Sequence, residues 1–542
     1  MANRVSVVAA VASLMSWVRS TKARVPVIRL VLFVLTGLAV AMGVLLRVSL
    51  LGSGSPWLDE LWTLDAVSRS FTDMARARLV SDQSPPLWTT LTWVWLHLVG
   101  TYDAASMRTL AAAFSCFGVA APIVGAIRMP SLRPTLLVMA SLLASSLFVI
   151  QYGVELRAYS MMIGLGAAAT VVWVGLLTSA LPRSRTWIFA FALVGALAGF
   201  GHYYGNILYA SELLILLAML AYQRDWAPAR FMLTWGALSL IPVAAWSIAT
   251  SRWMPNQAVA SPPSFFEIQT WFTYAFAPVT NVLANDPPGY PDGARGNGVV
   301  FAVLIVVSIV AAIVWYALPR NRRTTRIPPA AAAGASAILV VVIGLCVAWS
   351  LSLIRPPSMN VRNLAALLPA LFLATACACT LLPVRARWVT ASIAVAGLVA
   401  ANGIFVSNYG VAALAPPWQQ QAGYRDAARI LISASHESPR PTLIGLNTTW
   451  AWHGQWDAAI HAELGAGPAV PSDPEPLAVH WIDDVQNVDP NGMLRGPLLV
   501  FSDTQDQRTD DLFAWAERTV GSCTQSTVGG PAYGIISLLR CG

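Results

Sequence analysis

Apolar runs long enough to cross a bilayer recur along most of this chain, at about 27–51, 106–127, 134–150, 159–181, 187–204, 206–223, 231–250, 299–318, 328–353, 363–383 and 388–409. A transmembrane helix needs roughly 17–25 mostly apolar residues, so the pattern predicts about eleven spans. Only 11% of residues are charged while 56% are hydrophobic. Soluble domains carry about 25% charged residues, so the sequence predicts an all-α polytopic membrane protein. The net charge of +8 does not point to nucleic acid, because the cations sit in short clusters between the apolar runs.

Those clusters set an orientation. Arg19/Lys22/Arg24, Arg128/Arg133, Arg183/Arg185, Arg224/Arg230, Arg320/Arg322/Arg323/Arg326 and Arg385/Arg387 fall in alternate connections, and acids collect in the others. With the basic connections inside, residues 1–26 form a cytoplasmic N-terminal segment and 27–409 a transmembrane domain. A tail over 410–542 then lies outside the cytoplasm. The apolar stretch after Arg4 is read as part of that cytoplasmic segment and not as a signal peptide, since Arg19, Lys22 and Arg24 follow it. The Trp-rich stretch 85–100 is read as lying at the outer interface, because a further span would invert every later connection. Two long outer loops are expected at 52–105 and 251–298.

The tail has ordinary soluble composition. A helical pattern over Tyr424–Ser433 and short strand-like runs at Thr442–Leu446, Ala478–Ile482, Leu498–Phe501 and Gly534–Leu539 predict a small α/β domain. Cys523 and Cys541 lie in it, as a disulfide or as two free thiols. Cys116, Cys346, Cys377 and Cys379 fall in apolar runs and read as packing residues.

The chemistry-bearing residues gather on the outer side. Asp59-Glu60 follows the first span between Trp57 and Trp62. A carboxylate there, partly desolvated, suits a general base or a cation ligand; capping a surface helix is the plain alternative. Asp82 precedes Pro85-Pro86, where it also suits a helix cap.

These two segments resemble the C-type membrane glycosyltransferases (GT-C), which use polyprenyl-phosphate sugars. The likeness is to the protein O-mannosyltransferase and aminoarabinose transferase branch. Asp59-Glu60 matches that branch's Asp-Glu motif, and Asp82-Gln83-Ser84-Pro85-Pro86-Leu87 its Asp-x-His-Pro-Pro-Leu motif, with Ser84 where many relatives have His. The segment Tyr152–Tyr159, with Glu155 and Arg157, is similar to a Gln-Glu-x-Arg-x-Tyr element. His202-Tyr203-Tyr204-Gly205 looks like another outer element, and Arg362-Asn363-Leu364 through Leu368-Pro369-Ala370 like an Arg-Tyr-Leu-Leu…Leu-Pro-Ala stretch, with Asn363 in place of Tyr. Trp418 to Ala428 is similar to the start of the family's soluble tail.

The resemblance implies a GT-C fold and an inverting transferase in the plasma membrane. The donor would be a polyprenyl-phosphate sugar, mannose favoured and arabinose open, and the acceptor a glycolipid, glycan or protein. Asp59 would be the base, with Glu60 and Asp82 orienting the acceptor. Any divalent cation (Mg or Mn) would sit on Asp59 and Asp82. Arg157 and Arg362 suit a phosphate, with Glu155 and Tyr159 beside them. Trp57, Trp62, His202, Tyr203 and Tyr204 would contact substrate. Snorkelling anchors are the plain reading of both arginines. The rival functions are a lipid-linked-sugar flippase and a ligase using a polyprenyl-diphosphate donor.

Overall fold

The computed structural model describes residues 25–81, 84–101, 103–251, 263–277, 328–354, 359–382, 384–411, 414, 423–436, 442–446, 459, 479–482, 497–502, 507–528 and 536–541. Asp82, Trp418, the 299–318 run and most of the 251–298 loop lie outside them.

Among the described residues the membrane part is helical. Its elements are α1 (Val25–Leu50), α2 (Leu58–Ser68), α3 (Phe71–Ser81), α4 (Leu87–Val99), α5 (Ala104–Arg128), α6 (Arg133–Ser145), α7 (Leu147–Tyr152), α8 (Tyr159–Leu177), α9 (Arg185–Gly201), α10 (Tyr203–Tyr222), α11 (Trp226–Ser251) and α12 (Phe265–Ala275). Next come α13 (Pro329–Ile354), a short α14 (Val361–Leu364), one 3-10 turn, α15 (Leu368–Thr380) and α16 (Val384–Tyr409). Among the described residues eight helical segments are long and apolar enough to cross a membrane, and α4, α6 and α9 are shorter apolar helices. The chain is thus a multi-pass membrane protein.

Two readings shift. The run 134–150 is not one helix but two. Ser146 interrupts it in an extended conformation, its side chain accepting from Val149 N to start α7, while Leu147 N donates to Ala277 O at 2.7 Å. A Ser followed by a fresh turn is a cap signal that continuous hydrophobicity hid. The Trp-rich stretch forms α4, whose 13 residues rise about 20 Å, short of a hydrocarbon core of about 30 Å. Gly100, at φ 72°, ends it in the left-handed conformation that costs glycine nothing.

Close helix packing relies on small residues. A Cβ at Gly118 on α5 would lie 2.8 Å from Gly164 Cα on α8, so a side chain at either position would push these helices apart. One span carries a buried cation unmarked in the hydropathy pattern. Arg47, 1% exposed, donates to Ser115 Oγ (2.8 Å), Gly43 O (2.8 Å), Ala144 O (3.1 Å) and Leu143 O (3.0 Å). It ties α1 to α5 and α6 just below the first loop.

The tail holds α17 (Tyr424–Ser435), β1 (Thr442–Leu446), β2 (Val479–Ile482), β3 (Leu498–Ser502), α18 (Gln507–Val520), β4 (Cys523–Val528) and β5 (Ile536–Cys541). The five strands order β2-β1-β3-β5-β4; β1 pairs parallel with β2 and β3, while β5 pairs antiparallel with β3 and β4. The polar strand Cys523–Val528 and helix α18 were not expected. Cys523 faces Cys541 across β4 and β5, and the two form a disulfide. Helix α17 docks on the first loop: Arg425 N donates to Ser55 Oγ at 2.9 Å, and Tyr424, Ala427 and Leu431 share a buried cluster with Leu61, Leu64 and Trp88.

Candidate active site

Four connections meet at one end of the bundle: the loop after α1, the turn between α7 and α8, the α9–α10 junction and the start of α14. The basic connections Arg128/Arg133, Arg183/Arg185 and Arg224/Arg230 lie at the other helix ends.

Asp59 and Glu60 occupy the first turn of α2, where carboxylates suit the helix dipole. Being adjacent, they diverge. Glu60 turns inward, 1% exposed, and accepts from Arg108 Nε (2.9 Å, on Oε1) and Nη2 (2.8 Å, on Oε2) in a bidentate pair. Arg108 also donates to the carbonyls of Leu51 (3.3 Å), Ser53 (2.5 Å) and Ser55 (3.2 Å), and Leu156 N donates to Glu60 Oε1 at 2.9 Å. Glu60 therefore joins the first loop, α5 and the 153–158 turn. Arg108 reads in sequence as an anchor at a helix start or as a further phosphate candidate; the structure buries it completely against Glu60.

Asp59 points the other way. Its Oδ2 accepts from Arg362 Nη1 at 2.8 Å and lies 4.0 Å from Arg157 Nε. Its Oδ1 makes no hydrogen bond among the described residues, and the side chain is 23% exposed. Arg157 Nη1 donates to Asp59 O at 3.4 Å, and the Arg362 guanidinium lies 5.3 Å from the Trp57 ring centroid. Arg362 is held by its own helix start: Asn360 caps α14 by accepting from Asn363 N at 2.8 Å, and Glu267 on α12 accepts from Val361 N at 3.0 Å. That anchoring role of Glu267 had no sequence signal beyond a carboxylate in a loop.

Glu155 lies in the 153–158 turn and is fully buried, with neither carboxyl oxygen hydrogen-bonded among the described residues. Burial foremost, then the Glu60 and Asp59 charges, hold its pKa well above the ordinary carboxyl value; Arg362 and Arg157 oppose this. It does not orient Arg157 by a side-chain pair; the turn itself does, through Arg157 N donating to Glu155 O at 2.7 Å.

Tyr159 packs between Tyr152 and His202, with ring centroids 5.1 Å and 5.5 Å away. His202 breaks α9 from α10 and caps the latter, its Nδ1 accepting from Tyr204 N at 3.3 Å. A narrow cavity is lined by Arg78, Ser84, Trp88, Arg157, Tyr159 and His202. Arg78, buried on α3, is a third guanidinium that its polar sequence surroundings did not mark. Trp62 is 44% exposed on α2, and Tyr203 opens α10. Among the described residues no group of three or more His, Cys, Asp or Glu is placed to hold a metal ion.

This bundle, with its first-loop helices and small tail sheet, has the GT-C fold. Two solved structures share it: ArnT from Cupriavidus metallidurans bound to undecaprenyl phosphate (TM-score 0.53, 14% identity) and the same protein in the apo state (TM-score 0.54, 13% identity). In each case the match covers 92% of this chain and 97% of the other. No protein-family profile matches the chain, and no curated protein does by sequence.

Proposed function

We propose that this chain is an inverting glycosyltransferase that moves a sugar from a polyprenyl-phosphate donor to a glycolipid, glycan or protein acceptor of the cell envelope. The observation that carries the reading is the convergence on Asp59 of two guanidiniums from distant parts of the chain, Arg157 and Arg362. It is supported by a fold shared with a protein solved with undecaprenyl phosphate.

Asp59 Oδ1 takes the proton of the acceptor hydroxyl as that oxygen attacks the anomeric carbon. The bond from that carbon to the phosphate oxygen breaks on the opposite face, and polyprenyl phosphate leaves with the electron pair. Arg157 and Arg362 hold the departing charge. Arg362, already on Asp59 through Nη1, keeps Nη2 for the phosphate and so fixes base and leaving group relative to each other. Glu60 positions this loop from behind. His202, Tyr159, Trp57 and Trp62 border the substrate space. Any Mg or Mn ion would sit on Asp59 and Asp82 and neutralise the leaving phosphate. Mannose or a pentose such as arabinose is the proposed sugar. The site faces away from the cytoplasm of a plasma-membrane protein, which agrees with arginines at the opposite helix ends and a disulfide in the tail.

The test is transfer of label from a panel of polyprenyl-phosphate sugars to a membrane glycolipid extract. One donor should serve, and Asp59→Asn should lose at least about a hundredfold in kcat. Full activity in the folded variant would remove Asp59 as base, and transfer from diphosphate donors alone would favour the ligase.

A further inference from the structure

The half of the bundle far from Asp59 contains a cavity of about 490 Å³ with an almost wholly apolar lining, within the roughly 300–1,000 Å³ typical of small-molecule sites. Helices α1 and α5 both pack on α6 but hardly on each other, so they diverge and leave a groove floored by α6. Phe33 and Gly37 on α1, Ile123 on α5 and Leu137 on α6 line it. A Cβ built on Gly37 meets nothing within 4 Å, so nothing in the described protein fills the space.

Two polar groups mark it as more than a packing gap. Thr36 lines the groove and is 3% exposed, yet its hydroxyl makes no hydrogen bond among the described residues. A buried hydroxyl left unpaired is costly and calls for a partner. At the groove's end, Arg133 spends its Nε on Ala126 O at 2.9 Å, and its two Nη groups make no hydrogen bond among the described residues. Exposed Arg128 stands at the neighbouring end of α5, and the lining contains no acid.

We propose that this groove binds one anionic diacyl phospholipid of the surrounding bilayer. One acyl chain would lie along Phe33, Gly37 and Leu137, an ester carbonyl would accept from Thr36, and the phosphate would sit on the free Nη groups of Arg133. A charge at the end of an apolar channel recognises an anionic amphiphile, since guanidinium binds phosphate with paired hydrogen bonds. The occupant differs from the sugar donor, whose phosphate must reach Asp59 at the other end of the bundle.

The full-length protein, delipidated in a neutral detergent, is titrated with phosphatidylglycerol or phosphatidylcholine of equal chain length. Bound lipid is read by native mass spectrometry. Wild type should retain one phosphatidylglycerol at least about tenfold more tightly than phosphatidylcholine, as a charge-assisted contact worth about 1.5–3 kcal/mol requires. Arg133→Gln should erase that preference, and Gly37→Leu, which grows into open space without a protein clash, should lose both lipids. Gly37→Ala should bind as wild type and controls for folding. Equal retention of the two lipids by wild type, undiminished binding in Gly37→Leu, or competition by polyprenyl phosphate would overturn the proposal.

Discussion

Replacing Glu60 by glutamine keeps the shape of a side chain that is 2% exposed, opposite an Arg108 side chain that is 0% exposed. It removes the only carboxylate paired with Arg108 among the described residues. Each Glu60 oxygen accepts from Arg108, and Oε1 also accepts from Leu156 N. A glutamine must therefore turn its amide N–H groups toward existing donors. A buried charge that loses its partner costs about 3–5 kcal/mol, against the roughly 0–1 kcal/mol of a surface pair. Arg108→Met should cost a similar amount by leaving the Glu60 carboxylate without its cation. In the double variant no unpaired charge remains, so the loss should fall below the sum of the singles, with a coupling of about 0.5–3 kcal/mol. Thermal unfolding of the four proteins in one detergent measures this. The same bond holds the turn that carries Arg157, so Glu60→Gln should also lower kcat; about 1 Å of misplacement is worth around a hundredfold. A Glu60→Gln protein within about 0.5 kcal/mol of wild type, or strictly additive losses, would refute the clamp.

Three further outcomes follow from the geometry. Arg362→Ala should raise KM for the donor by about tenfold or more, the worth of a charge-assisted hydrogen bond, while Arg362→Lys keeps the charge but loses the contact that fixes Asp59; donor titrations separate them. For Glu155 the folded pKa is raised, so the folded state holds a proton that the unfolded chain releases above its ordinary value of 4.5; stability falls as pH rises through that window. Glu155→Gln should therefore melt higher than wild type at neutral pH, with the gain shrinking toward pH 4.5, as melting at stepped pH would show. Replacing Cys523 and Cys541 by serine opens a bridge spanning 18 residues and should weaken the tail by about 3 kcal/mol, read as earlier proteolysis of 410–542.

The parts legible in the sequence are those that one residue type signals by itself. Twenty apolar residues in a row mean a span whatever packs beside them, so α1, α5, α8, α10, α13 and α16 fall where hydropathy puts them. The gathering of Asp59, Arg157, His202 and Arg362 at one end of the bundle follows from counting those spans. What the sequence could not display is direction. Asp59 and Glu60 are adjacent carboxylates, equal as letters, yet one faces two partly buried guanidiniums and the other a wholly buried one. The 100° turn per helical residue separates them, and only the position of α5 decides which side holds Arg108. Arg78 and Arg47 were hidden for the same reason: a cation in a polar helix or near a span end looks like a surface anchor until its neighbours are in place. The pairing of Glu155 with Arg157, which a spacing of two allows only off a regular helix, fails even in their turn: Arg157 N donates to Glu155 O, and the Glu155 carboxyl oxygens accept no hydrogen bond among the described residues. Burial without a partner, the property that makes Glu155 testable by pH, belongs to the arrangement of four separate connections and to no stretch of sequence.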